Sequence, residues 1–227
     1  MSNINLSIGY SKTNMLYKDV CLSIETGKIY NIIGENGAGK STFYKTLLGA
    51  IPPLEGSVPV QLKRKIAIVS DYVSLPDELY VNDILGFIGK RHVKNVKKNY
   101  ERIYEIIDSL KGQMIKKLST GQKRMLEIFT ILSADKEILI LDEACNGLDY
   151  KNKEYFLKNI KQLSEQNGVT IFHTSHNLED VVKLGGAMYV LDKYSKCIQL
   201  YHGEKTVEQI NLFMKNLYGD VGNEKVI

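Results

Sequence analysis

Lys28-Ile-Tyr-Asn-Ile-Ile33, then Gly34-Glu-Asn-Gly-Ala-Gly39-Lys40-Ser41-Thr42, then Phe43-Tyr-Lys-Thr-Leu-Leu48-Gly49: this run decides how the chain is read. A short apolar strand follows the turn at Gly27, enters a glycine-rich loop, and gives way to an apolar helix-like stretch that Gly49 stops. The loop fits Gly-x4-Gly-Lys-Ser in full. Glycines let successive backbone N–H groups turn inward and approach an anion closely. The helix starting near Lys40 aims its positive end at the same point. Lys40 adds a mobile cation suited to β- and γ-phosphates, and Ser41 offers a hydroxyl oxygen to Mg2+. The plain alternative is a glycine turn with no ligand. With glycine at about 7% of residues, a chance match in such a chain is roughly one in a hundred. The flanking strand and helix lower it further.

Outward from this loop, residues 3–10 and 20–33 read as short strands and 65–70 as a buried strand. Residues 72–117 read as a helical lobe with candidate helices at 79–89 and 100–110. Ser119 opens a helix reaching about Leu132. A short apolar strand at 137–141, a helix at 151–165, a strand at 169–174, a hairpin at 187–192 and 196–201, and a closing helix at 206–217 complete the chain. Alternating strands and helices predict an α/β fold with a mainly parallel sheet, an N-terminal antiparallel β portion and the inserted helical lobe. The expected organisation is one domain over 1–227, with an α/β core at 1–71 and 118–227 and the lobe at 72–117.

The acids Asp142 and Glu143 close the apolar run Ile138-Leu-Ile-Leu141. A strand ending in acids places them at the carboxyl edge of a sheet, where open α/β sheets bind ligands. Beside a phosphate loop, Asp142 is the expected Mg2+ partner and Glu143 the group that orients and polarises an attacking water.

The 227 residues are 44% hydrophobic and 25% charged, with a formal net charge of +4, which is ordinary for a globular protein. Lys and Arg cluster once, between Lys90 and Lys98, with His92 among them. A solvated helix face is the bland reading, and contact with anionic lipid headgroups or nucleic acid is the alternative; no nucleic-acid partner is expected. Cys21, Cys145 and Cys197 are too scattered for a disulfide framework or a metal site and fit a reducing cytosol. No signal-peptide pattern opens the chain, and no apolar run approaches the roughly 18 residues needed to cross a bilayer. Any work at a membrane would need another chain to hold this one there.

With these motifs in place, the sequence resembles the ATP-binding cassette (ABC) ATPases over nearly its whole length. Leu118-Ser-Thr-Gly-Gln122 resembles the family signature, usually LSGGQ, with Thr120 at a usual glycine. Ser119 with Gln122 three residues on also reads as a capping box. The resemblance implies ATP and Mg2+ as ligands. Asn36, Gly37, Gly39, Lys40, Ser41 and Thr42 would contact nucleotide from one copy, and Ser119, Gly121 and Gln122 would reach the γ-phosphate held by another. Asn146-Gly-Leu-Asp149 resembles the family's D-loop, which crosses that dimer interface through Asp149. His176 falls where the family's switch histidine contacts the γ-phosphate. Tyr10 falls where an aromatic stacks on adenine, with Tyr17 as the alternative. Asp71 stands where the family usually has a glutamine, which assigns it to Mg2+ together with Ser41 and Asp142. Ala144-Cys145 replaces a common Pro-Thr, with no physical account.

The resemblance implies an ATPase that powers transport through a separately encoded polytopic membrane subunit, working as a pair with itself or a similar ATPase subunit. It would sit in the cytoplasm, peripheral on the inner face of the membrane. Leu75, Leu79, Val81, Ile84 and Phe87 are the candidate docking residues of the lobe, with core packing as the alternative for each. The compact length resembles small exporter ATPases, so export is the expected direction. A non-transport ATPase of repair, translation or cluster assembly, and a regulatory module without turnover, are the competing readings. The absence of sustained heptads argues against the first, and Glu143 against the second. For the departure at Asp71, Asp71→Gln is expected to be tolerated and Asp71→Ala to lower turnover and Mg2+ affinity. A Mg2+ titration of ATP hydrolysis checks this, and an alanine variant matching wild type removes Asp71 from the metal site.

Overall fold

Apolar residues at every second position build a two-stranded ribbon, β1 (Ser2–Gly9) against β2 (Met15–Ile24), with Ile4, Leu6 and Ile8 on the buried face and Asn3 and Asn5 outside. The computed structural model describes residues 2–70, 75–134 and 136–218. β3 (Ile29–Ile33) leads into α1 (Lys40–Leu48), which Gly49 ends in the left-handed conformation. β4 (Glu55–Gly56), α2 (Val60–Arg64) and β5 (Ile66–Val69) follow. The lobe holds three helices, α3 (Val81–Ile88), α4 (Lys90–Asn99) and α5 (Glu101–Ser109), and a 3-10 turn at Ile115–Lys117. Then come α6 (Thr120–Leu132), β6 (Ile138–Asp142), α7 (Tyr150–Asn167), β7 (Thr170–Thr174), α8 (Leu178–Leu184), β8 (Ala187–Asp192), β9 (Cys197–Leu200) and α9 (Val207–Tyr218).

Two sheets result. The small antiparallel one has the order β2-β1-β4, and the large one β5-β6-β7-β3-β8-β9. In the large sheet every recorded pairing is parallel except β8 with β9. β3, β6 and β7 are buried at every position, which is why they read as unbroken apolar runs rather than alternating ones. One core lies between the small sheet, α1 and one face of the large sheet, where Phe43, Tyr44 and Leu47 meet Ile8, Tyr17 and Phe172. Fully burying one such Phe or Leu contributes about 2 kcal/mol, so α1 is held by packing more than by propensity. A second core joins α6 and α7 to the opposite face and runs without a break into the lobe: Val81, Ile84, Ile103 and Ile107 share it with Leu139, Leu141 and Phe156.

The architecture meets the expected fold class, with three differences. β2 begins at Met15, well before residue 20, because Met15 and Tyr17 pair with Gly9 and Ile8 across bulges that blur the alternation. The lobe has a third helix over the basic run, anchored by buried Val96. α2 and α8 are too short for periodicity to reveal. Among the docking candidates, Val81 and Ile84 are core residues and Leu75 and Leu79 pack against that core. Val81 and Ile84 occupy the inward stripe of α3, whereas Phe87 falls outside it and is 79% exposed.

The β3–β8 edge admits no side chain at Gly186. Its φ is +87°, and an added Cβ would lie 2.2 Å from the carbonyl oxygen of Ile29. Gly186→Ala is therefore expected to cost about 3 kcal/mol, read as a lowered urea midpoint. Gly86, mid-helix in α3 with open space around it, is the control: Gly86→Ala should raise stability by up to about 1 kcal/mol.

Candidate active site

The strand order brings three carboxyl ends side by side. β3 delivers the glycine loop, β6 delivers Asp142 and Glu143, and β7, lying between them, delivers Thr174 to His176. The register sets Asp142 directly opposite Thr174. Gly39 caps α1 with φ 90°, a left-handed turn that a residue with a Cβ resists. Tyr17, fully buried, donates its hydroxyl to the Ala38 carbonyl and pins the loop from below. That burial removes Tyr17 as an adenine platform. Tyr10 is 62% exposed at the rim, its hydroxyl 2.9 Å from that of Thr42. Lys40 Nζ donates to the carbonyls of Gly34 at 2.8 Å and Glu35 at 3.1 Å. Burial pushes Lys40 below the usual lysine value, with Glu143 and Asp142 opposing the change.

Thr174 Oγ1 donates to Asp142 Oδ1 at 2.7 Å, and Ser41 Oγ lies 3.4 Å from Asp142 Oδ2. A fixed carboxylate beside a hydroxyl at a phosphate loop is a hard-oxygen donor set of the kind Mg2+ takes together with phosphate, so the residues present fit that ion. Glu143 holds φ +56°, and its backbone N–H, shared between the Thr174 carbonyl and hydroxyl at 3.3 Å each, fixes that strained turn. Its carboxylate accepts from the His176 backbone N–H at 3.3 Å and stands 3.1 Å from His176 Nε2. Burial pushes the Glu143 carboxyl above its ordinary value. His176 is the strongest opposing influence, Asp142 adds to the rise and Lys40 resists it. The resulting cleft, about 490 Å3, is lined by Tyr10, Asn36, Gly37, Asp142, Glu143 and His176 among others. Such a set can hold an anion and position a water on a carboxylate.

Ser119 caps α6, its hydroxyl accepting the Gln122 N–H at 3.2 Å while Gln122 Oε1 accepts the Ser119 N–H at 2.9 Å, so the capping box forms. Asp149 caps α7, accepting the Asn152 N–H at 3.0 Å. The two segments touch: an added Cβ on Gly147 would lie 2.8 Å from the Thr120 methyl, and one on Gly121 2.8 Å from the Gly147 carbonyl oxygen. A threonine at position 120 is accommodated because its neighbour is a glycine. Ser119, Gly121, Gln122 and Asp149 line a separate cleft of about 440 Å3 that shares no lining residue with the first. Asp71 lies outside the described residues. Thr174 and Tyr17 went unassigned as positioning groups, since a polar residue closing a strand and a tyrosine within one carry no motif.

Behind the site, Lys153 Nζ of α7 meets Asp180 Oδ1 of α8 at 2.8 Å, with Asp180 only 1% exposed, and Ser175 Oγ donates to Asp180 Oδ2 at 3.3 Å. This pair ties the helix that follows Asp149 to the turn that carries His176. Cys145 beside it is buried, and burial pushes its thiol up to about 12.

The ABC transporter family model matches residues 17–146. The chain is 31% identical over 215 residues to the energy-coupling factor transporter ATP-binding protein EcfA2 of Clostridium perfringens, spanning 83% of this chain and 75% of that one. It is 27% identical over 198 residues to the molybdate import ATP-binding protein MolC of Haemophilus influenzae, spanning 83% of this chain and 78% of that one. A dimeric ATP-binding cassette in a post-hydrolysis state with ADP and phosphate superposes with a TM-score of 0.68 at 21% identity, over 89% of this chain and 98% of that one, a likeness of fold.

Removing one half of the Lys153–Asp180 pair strands a charge in a mostly dry place. Asp180→Ala is expected to cost about 3 kcal/mol in denaturant unfolding. Replacing both partners with apolar residues of similar volume should restore most of that stability. A double variant no better than Asp180→Ala would mean that the loss comes from packing and not from the unpaired lysine.

Proposed function

The chain belongs to the ABC transporter family and is an ATPase that uses ATP with Mg2+, and from that premise we propose how its site works and what it drives. The observation that carries the proposal is the separation of the two clefts. One chain offers the loop, Asp142, Glu143 and His176 on one side and the Ser119 helix end on another, so each chain supplies two complementary halves of a site. Two copies, or this chain and a similar one, close face to face. Lys40 and the N–H groups of residues 34–42 hold the phosphates, with contacts from Asn36, Gly37 and Gly39, and Tyr10 stacks on the base. Ser41 and Asp142 hold Mg2+, which when bound supplies the charge that offsets the phosphates. Glu143 orients the attacking water and accepts its proton, and His176 keeps that carboxylate aimed. Ser119, Gly121, Gln122 and Asp149 come from the opposite copy.

The function proposed is to power transport through a separately encoded polytopic membrane subunit, because ATP-driven closure and its release supply a two-state motion that a partner can follow. Among the described residues, no helix is long and apolar enough to cross a membrane, so a partner would hold the chain against the inner face. Phe87, exposed on the lobe, is the docking residue proposed from the original five. Direction depends on which side of the membrane partner opens on closure. Export is the expectation from sequence, and the name of the molybdate relative runs the other way. Uptake or efflux by vesicles holding the complex decides between them, and co-purification with a polytopic protein tests the transporter reading itself.

Glu143→Gln should retain ATP binding and slow hydrolysis by about 100-fold, about 2.7 kcal/mol in barrier. A carboxylate base works deprotonated, and burial raises this one in the free protein, so wild-type kcat/KM should fall with acid at a pH above that of an ordinary glutamate. Unchanged steady-state turnover in the variant removes Glu143 from the role.

Shared sites predict complementation. Lys40→Ala and Ser119→Arg homodimers should both be inactive. Their equimolar mixture should regain about a quarter of wild-type hydrolysis, since half the dimers are mixed and one of two sites in each is intact, if trans contacts supply the transition-state charge stabilisation and sites fire independently. No recovery between variants that do associate means the sites act in cis or must fire together. Pairing a wild-type chain with a doubly substituted one separates these: cis sites keep about half the activity and strictly coupled sites keep none.

A further inference from the structure

α4 carries Lys90, Arg91, Lys94, Lys97 and Lys98 and no acidic residue. At about 100° per residue, Val93 and Val96 mark its buried side, and Lys90, Arg91, Lys94 and Lys98 fall together in a sector of about 100° next to it. Asn95 and Asn99 occupy the remaining exposed side. Lys97 is engaged elsewhere, 4.9 Å over the Tyr104 ring. Some surface lysines of this protein meet acids: Lys65 pairs with Glu137, Lys123 with Asp77, Lys183 with Glu154 and Lys193 with Glu35. The four on the α4 stripe have no ion pair or side-chain hydrogen bond among the described residues. On the packed neighbours, Asp83 of α3 is occupied in accepting the Tyr80 N–H, and Asp108 of α5 meets Lys111, which leaves Glu101 and Glu105 as the nearby acids without such a contact. Like charges at i and i+4, as in Lys90, Lys94 and Lys98, work against the helix itself. The stripe is therefore a line of positive charge with no acid in contact, on a short rod of about 15 Å.

A basic stripe of this kind matches the boundary layer of a bilayer, which draws Lys and Arg to anionic phosphates. We propose that the Lys90, Arg91, Lys94 and Lys98 face of α4 rests on anionic lipid headgroups beside the membrane subunit, so that the lobe is held by lipid as well as by protein. This rests on the transporter reading of the chain, and it is tested without the membrane subunit.

Flotation of the full chain with vesicles is the experiment, using phosphatidylcholine alone and phosphatidylcholine with about a third phosphatidylglycerol. Binding is expected only to the anionic vesicles and should weaken steeply with salt. The variant with Lys90→Gln, Arg91→Gln, Lys94→Gln and Lys98→Gln should bind them about 100-fold less tightly or worse, while hydrolysing ATP at the wild-type rate. If the wild type ignores charge in the vesicles, or the four-site variant floats as well as wild type, the proposal is overturned. It is overturned equally if the stripe governs retention of a DNA duplex while anionic vesicles are left unbound. A variant that loses ATP hydrolysis along with flotation is answered by the milder pair Lys94→Gln and Lys98→Gln: graded loss of flotation at full hydrolysis supports the proposal, and unchanged flotation rejects it. Vesicle binding that persists in a chain found without any membrane partner would sink the transporter reading and leave the lipid contact standing.

Discussion

Parallel pairing of β6, β7 and β3 is the constraint on which everything else rests. It sets Asp142 opposite Thr174 and lays the start of the glycine loop one strand away. Parallel strands all point their carboxyl ends the same way, so one edge of the sheet collects the loop, the two acids and the histidine turn without any of them being close in sequence. The three strands are buried on both faces, and a slip of one residue would move every side chain from one core into the other. The register of the catalytic edge is thus fixed by hydrophobic packing far from the chemistry.

On that edge the polar groups are held by one another. Thr174 holds Asp142 through its hydroxyl and the backbone of Glu143 through its carbonyl and hydroxyl, and so joins the proposed metal and water positions in one residue. Glu143 is driven toward neutrality by burial and toward ionisation by His176 and Lys40, a balance that suits the proton-accepting role proposed for it. The Lys153–Asp180 pair, with Ser175 on the same carboxylate, links the helix that starts at Asp149 to the turn that carries His176.

Legibility in the sequence followed the reach of each signal. The loop, Asp142, Glu143, the Ser119 cap and the end of α1 at Gly49 were all readable, because each is a local pattern whose physics is complete within ten residues. Tyr17 was not: as a strand aromatic near a phosphate loop it could serve as core or as platform, and only its contact with Ala38 decides. Val81 and Ile84 looked like docking residues for the same reason, since an apolar residue on a short helix does not reveal which side its neighbours cover. Thr120 departed from the family pattern, and the reason lies at Gly147, distant in sequence and in van der Waals contact in space.

By itself, the sequence determined the fold class, the phosphate loop, the acidic pair and the capping of the signature helix. These depend on backbone conformations and hydrogen bonds between residues a few positions apart, and residue type at fixed spacing is enough to specify them. The tertiary structure alone decided that Thr174 braces both acids, that Tyr17 is a loop anchor, that Phe87 is the exposed docking candidate, and that the Ser119 end lines a cleft separate from that of the glycine loop. Each of those is a statement about which distant surfaces meet, and that is settled by sheet register and core packing, which sum weak contacts over the whole chain and leave no mark at any one position.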